Sequence, residues 1–184
     1  MVEEKFSKLD PNSVDSFVRR TIDRVYSMLY GIVGHKEDAE DLTQEVFVKA
    51  LRAINSFRGD SSPETWLYRI AVNTGRDAIG RRQRERAFES GEAFPDDNSS
   101  NIELSKCDPA NYVVESEEIL LIREAVADLK NDWKEVITLV DIEDMKIEEA
   151  AAILGIPEGT VKSRLVRGRE QLRNMLKQRM RVER

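Results

Sequence analysis

One stretch, IEEAAAILGIPEGTVKSRLVRGREQL from Ile147 to Leu172, constrains the fold more than any other, because it reads as two helices joined by a tight turn. That is the layout of a helix-turn-helix DNA reader. Ile147, Ala150, Ala151, Ile153 and Leu154 are the small and apolar residues that a first helix needs where a second packs closely on it. Gly155 supplies the left-handed conformation that ends this helix, and Ile156 plugs the turn. Pro157 lacks the N–H that a helix start would leave orphaned, and Glu158 meets the positive end of the dipole. Val161, Leu165 and Leu172 then recur at helical spacing for a core, while Lys162, Ser163, Arg164, Arg167, Arg169 and Arg173 occupy the remaining surface.

The charge on this segment is one-sided. From Pro157 to Arg184 there are nine Lys or Arg against three Glu, whereas Ile119 to Ile156 carries four against nine acidic residues. A merely solvated helix face carries both signs; a basic helix after an acidic pair is what phosphate neutralisation by one groove-entering element requires. The whole chain has a net charge of −6, the wrong sign for a DNA binder until it is divided. Residues 1–86 and 119–184 each carry one more basic than acidic side chain, and residues 87–118 hold one basic residue against nine acidic ones. All the net acidity lies in the middle.

With 184 residues the chain holds one ordinary domain or two small ones, and 40% hydrophobic with 35% charged residues favours helices. Few β-branched alternations suggest a sheet, so the expected class is all-α: two small helical domains joined by a flexible acidic linker. Cys107 is the one cysteine, which excludes a disulfide framework or a cysteine-based metal site within the chain and points to a reducing compartment. The N-terminus lacks a signal-peptide pattern, and no apolar run approaches the roughly 20 residues that span a bilayer. A cytoplasmic protein with no membrane segment is expected. One His, one Cys, no Gly-rich phosphate loop and no Ser/His/Asp grouping argue against an enzyme, and neither a catalytic residue nor a metal or other cofactor is expected.

Residues 87–116 are rich in Ser, Asn, Asp, Glu and Pro and cannot bury enough surface to offset chain entropy. They read as a linker, serving as a passive tether or covering a basic surface of a partner. Before it, Val18, Ile22, Val25, Leu29 and Ile32 mark an amphipathic helix that stops near Gly31 to Gly34. Glu37, Asp38, Glu40 and Asp41 load the first turns of a second helix, whose apolar face is Leu42, Val46, Phe47, Ala50 and Ile54. A third opens after FRGDSSP, capped by a Ser61–Glu64 box or by Ser62 with Pro63 at the first helical position, and ends among Arg81, Arg82, Arg84 and Arg86. After the linker, helices are expected at roughly 116–130 and 132–142, with Asn131 or Asp132 available as a cap.

DAEDLTQEVFVKAL (Asp38 to Leu51), SSPETWLYRIAVNTGRDAIGRRQRER (Ser61 to Arg86) and GIPEGTVKSRLVRGREQL (Gly155 to Leu172) stand in fixed order, and together they resemble the extracytoplasmic-function sigma factors of bacterial RNA polymerase. The resemblance covers nearly the whole chain. It implies a region 2 domain over 1–86, a linker over 87–116 and a region 4 domain over 117–184. It implies docking of region 2 on a coiled coil of the polymerase β′ subunit through Asp38, Asp41, Gln44 and Glu45, an acidic and amide face suited to arginines. The core enzyme, including its β subunit, promoter DNA and an anti-sigma factor are the implied partners.

The third helix resembles the part that opens the minus 10 element and holds a non-template base out of the stack. That work needs a polar pocket, apolar support and cations for the freed strand. Asn73 offers hydrogen bonds to a base edge, Arg58 and Ser61 lie on the preceding loop, and Arg76, Arg81 and Arg82 can hold phosphates. Trp66 shares a face with Ile70 and serves core packing or base stacking; Tyr68 faces differently and is open between the same roles. For the minus 35 element, read in duplex form, the resemblance implies Thr160, Lys162, Ser163, Arg164 and Arg167, with Lys162, Ser163 and Arg167 preferred for the major groove. Val166 offers an apolar contact to a thymine methyl. The alternative reading is a repressor or activator that binds duplex DNA unaided, its N-terminal half acting as a sensor or dimeriser.

Overall fold

The computed structural model describes residues 11–90 and 117–182, and every regular element among them is helical. Helices α1 (Pro11–Val33), α2 (Lys36–Ala53) and α3 (Pro63–Ser90) form one group, with a 3-10 turn at Ile54–Ser56. Helices α4 (Glu117–Ala127), α5 (Asn131–Ile137, continued as a π turn over Thr138–Ile142), α6 (Ile147–Leu154) and α7 (Glu158–Val182) form the other. From residue 91 to 116 the expected linker lies outside the described residues, and Cys107 with it.

The first group closes around residues that the helical period predicts. Val25, Leu29 and Ile32 of α1 meet Leu42, Val46 and Ala50 of α2 and Leu67, Ala71 and Val72 of α3, all buried. Each fully buried Leu, Ile or Val contributes about 1.5–3 kcal/mol, which is how three short amphipathic faces offset the entropy of ordering them. Between the two candidate caps of α3, the structure selects Ser62: its hydroxyl accepts the Thr65 N–H at 3.1 Å, with Pro63 in the first helical position. The helix then runs four residues past Arg86, into the stretch read as linker, because Ala87 is buried and continues its inner face.

In the second group, Ala125, Leu129, Val136, Ile137 and Leu139 pack with Ala150, Ile153 and Leu154 of α6 and Val161 and Leu165 of α7. Gly155 ends α6 at φ 68°, and its N–H reaches back to the Ala151 carbonyl at 2.9 Å. The start of α5 differs from expectation. Lys130 holds the cap position with no side-chain cap, and Asp132, offered above as a cap, turns instead to Arg164 at 2.7 Å. The helix expected to reach 142 widens at Thr138, where the Glu143 N–H bonds to the Thr138 carbonyl at 2.9 Å, five residues back. The wider turn sends Asp141 outward to Arg169 while Leu139 stays buried.

Candidate nucleic-acid interface

Three surfaces carry the residues singled out by the sequence. On α2, Asp41 and Gln44 are exposed and Glu45 is half-buried, bonded to Lys49 one turn on at 2.8 Å. Val48 and Leu51 continue the face, 44% and 55% exposed. Positions 41, 44, 48 and 51 therefore make one stripe opposite the buried Leu42, Val46 and Ala50, with a polar end and an apolar end. Asp38 does not lie free beside it: its carboxylate pairs with Arg82 across the groove between α2 and the end of α3. That groove, about 250 Å³, is lined by acidic residues of α2 on one wall and by Arg81, Arg82 and Arg86 on the other.

Helix α3 sorts its candidates by face. Trp66, Arg69, Asn73 and Arg76 follow a three-and-four spacing along one side, and Asn73 is exposed. Trp66 is half-buried against the core, its ring 5.3 Å from that of Phe57 and tilted by 55°. Tyr68 belongs to the core, with the Arg24 guanidinium over its ring at 5.8 Å, and burial raises its phenol pKa. Arg58 is exposed and Ser61 half-buried on the loop before the helix, and Arg81 is exposed farther on. Arg82 points away from Asn73, toward Asp38. Arg76 is the best-held cation of the set: its Nε and Nη2 bond both oxygens of Glu135, on α5, at 2.6 and 2.7 Å, and this pairing raises its pKa.

On α7, the outward positions are Lys162, Ser163, Val166 and Arg167, all exposed, while Val161 and Leu165 face the core. Their neighbours are committed elsewhere. Arg164 is largely covered and paired with Asp132, and Arg169 makes two bonds to Asp141 at 3.0 and 2.6 Å, which raise its pKa. Lys162 lies 3.6 Å from Glu158 within the helix, Ser163 donates to the Thr160 carbonyl at 3.0 Å, and Thr160 is half-buried. Arg167 makes no ion pair among the described residues, leaving its planar fork available to a guanine edge or a phosphate.

Sequence reasoning missed four participants. Val48 and Leu51 were legible, since they extend the Asp41–Gln44 spacing by whole turns. Arg69, which donates to the Ala152 carbonyl at 2.8 Å, and Glu135 were not, because their partners are 83 and 59 residues away. Among the described residues no group of three or more His, Cys, Asp or Glu is placed to hold a metal, and no helix is long and apolar enough to cross a membrane.

Residues 17–85 match the Sigma-70 region 2 family and residues 119–172 the Sigma-70 region 4 family. The chain is 37% identical over 175 residues to the ECF RNA polymerase sigma-E factor of Escherichia coli, covering 93% of this chain and 90% of that one. It is likewise 37% identical over 164 residues to the ECF RNA polymerase sigma factor SigE of Mycolicibacterium smegmatis, covering 89% of this chain but spanning only 62% of that relative's length. Among solved structures, the sigma factor RpoE of Bartonella quintana, in complex with the anti-sigma factor NepR, superposes with a TM-score of 0.72 at 28% identity, over 89% of this chain and 96% of that one.

Proposed function

Since the chain belongs to the extracytoplasmic-function sigma factors of RNA polymerase, it is a transcription initiation factor and not an enzyme, and we propose that its three surfaces divide promoter recognition among them. It binds core RNA polymerase, directs it to promoters and works in the cytoplasm, where the polymerase is, under the control of an anti-sigma factor. In this assignment residues 1–86 are the region 2 domain, 87–116 the linker and 117–184 the region 4 domain.

The α2 stripe docks on the polymerase: Asp41, Gln44 and Glu45 meet basic residues, and Val48 and Leu51 give the interface a dry centre. Asp38 acts one step back, holding Arg82 at the edge of the same surface. The α3 side with Trp66, Asn73 and Arg76, joined by Arg58, Ser61 and Arg81, takes the unstacked minus 10 strand. Asn73 reads a base edge, the free part of Trp66 supports it by stacking, and the arginines neutralise phosphates. The outward face of α7 enters the major groove at the minus 35 element, with Lys162, Ser163 and Arg167 as readers. Arg164 and Thr160 support the helix from its flank.

The observation that supports this reading is the presence, in one chain, of two separate helices, α3 and α7, that carry the proposed DNA contacts and each begin within a matched region of their own. Run-off transcription tests it. Purified chain added to core polymerase, with no anti-sigma factor present, initiates at a subset of genomic promoters. Failure to initiate at any promoter, or tight duplex binding by the chain alone, overturns it in favour of a simple operator-binding regulator.

A further inference from the structure

We propose that Phe88, near the end of α3, is a stacking platform for a second base of the single strand that this helix takes, so that the strand is held at two points, by Asn73 with Trp66 and by Phe88. The proposal rests on the assignment of α3 to the minus 10 strand, and it adds a contact outside the matched region 2, which ends at residue 85.

Phe88 is 90% exposed. Among the described residues, two other large apolar side chains are more than half exposed, Leu51 and Val166, and each lies on a face assigned above to a partner, the polymerase and the minus 35 groove. An isolated exposed apolar residue is ordinary on a protein surface; what sets Phe88 apart is its company. The two turns of α3 that end at it carry Arg81, Arg82, Arg84 and Arg86 against the single acid Glu85, and Arg81, Arg84 and Arg86 are exposed. A ring set among cations is the composition that holds a single strand without regard to sequence, the cations neutralising phosphates while the ring stacks on a base.

Position on the helix selects the DNA strand as the occupant in preference to an acidic protein. From Asn73, steps of three or four residues lead through Asp77, Gly80 and Arg84 to Phe88, so the ring stands on the side of α3 that carries Asn73. The opposite side holds the buried Ala71, Ala78 and Ile79. Nothing blocks the line between the two points: Asp77 is exposed, Arg84 folds back to the Gly80 carbonyl at 3.2 Å, and a Cβ placed at Gly80 would meet no atom within 4 Å. At 1.5 Å per residue Phe88 lies about 22 Å along the axis from Asn73, which about six nucleotides cover at the 3.4 Å spacing of a stacked strand and fewer cover in a stretched one.

Anisotropy tests the platform, using the full chain assembled with core RNA polymerase and a fluorescein-labelled single strand of random sequence, about 20 nucleotides long so that it spans both points, with core enzyme alone as the blank. Phe88→Ala and Phe88→Leu should each weaken strand binding about fivefold or more, because leucine keeps the apolar surface but lacks the flat face, and Phe88→Tyr should restore it. Binding of a hairpin duplex, whose base faces are already stacked, should be the same for all of them. The side chain already stands in water, so unfolding midpoints and assembly with core should also agree. Leucine binding the strand as well as phenylalanine overturns the platform, as does an equal loss on the duplex or strand binding no stronger than the blank. Weaker assembly with core at unchanged strand affinity makes Phe88 a polymerase contact and overturns it too. Asn73→Ala separates this proposal from the reading beneath it: strand binding lost there but not at Phe88 overturns the platform alone, while loss at Phe88 but not at Asn73 leaves the platform standing and counts against Asn73 as the reader of the minus 10 base.

Discussion

Lys134 is a lysine placed where a lysine is costly. It is 1% exposed, its ammonium has no hydrogen-bond partner among the described residues, and burial pulls its pKa down to about 8 against the opposing pull of Asp128 and Glu135. A folded-state pKa below the unfolded value means that the unfolded chain binds more protons between about pH 8 and 10.5, so stability rises with pH across that window. Above pH 10 the raised pKa values of Tyr26 and Tyr68 work the other way. Lys134→Met should therefore raise the stability of the chain at pH 7 by about 1–3 kcal/mol and flatten the rise from pH 8 to 10, both measurable by urea unfolding. Arg164 and Arg167 separate by a second measurement. Arg167→Ala should lose about 1–3 kcal/mol of discrimination at one minus 35 base pair with thermal stability unchanged. Arg164→Ala, by giving up the Asp132 pair, should cost about 0.5–1 kcal/mol in stability and spread its effect over all sequences. The sequence offered both arginines for the minus 35 element and preferred Arg167 for the groove, but nothing local revealed the pair that holds Arg164, because Asp132 is 32 residues away.

At the scale of elements, the helices were legible wherever the signal was periodic or a cap. The apolar faces of α1 and α2, the Ser62–Pro63 start of α3 and the Gly155 stop of α6 follow from residues no more than four apart. Gly155→Ala meets no neighbouring atom, so its expected cost is the backbone term alone, about 1–2 kcal/mol, read as a lower unfolding midpoint. What escaped the sequence was the π turn at Thr138–Ile142 and the uncapped start of α5. Both are decided by where Asp141 and Asp132 find arginines on α7, a tertiary demand that overrides local pattern.

At the scale of the whole molecule, the all-helical class and the order of its parts were accessible because charge and motif divide the chain at the same places. The way the two domains meet was not. It depends on pairs such as Arg76–Glu135 and Arg24–Glu143, 59 and 119 residues apart, that no composition or spacing reveals. The α2 stripe allows a test at this scale too: Val48→Glu should reduce affinity for core polymerase at least tenfold in a pull-down titration while shifting stability by less than about 0.5 kcal/mol, since the side chain already faces solvent. The fit of Gly31 against Thr138 carries a separate implication for protein engineering. Here the two halves meet at a seam with no room for a Cβ at Gly31, so a hybrid carrying a foreign second half would need a side chain no larger than that of Thr138 at this point to pack as this chain does.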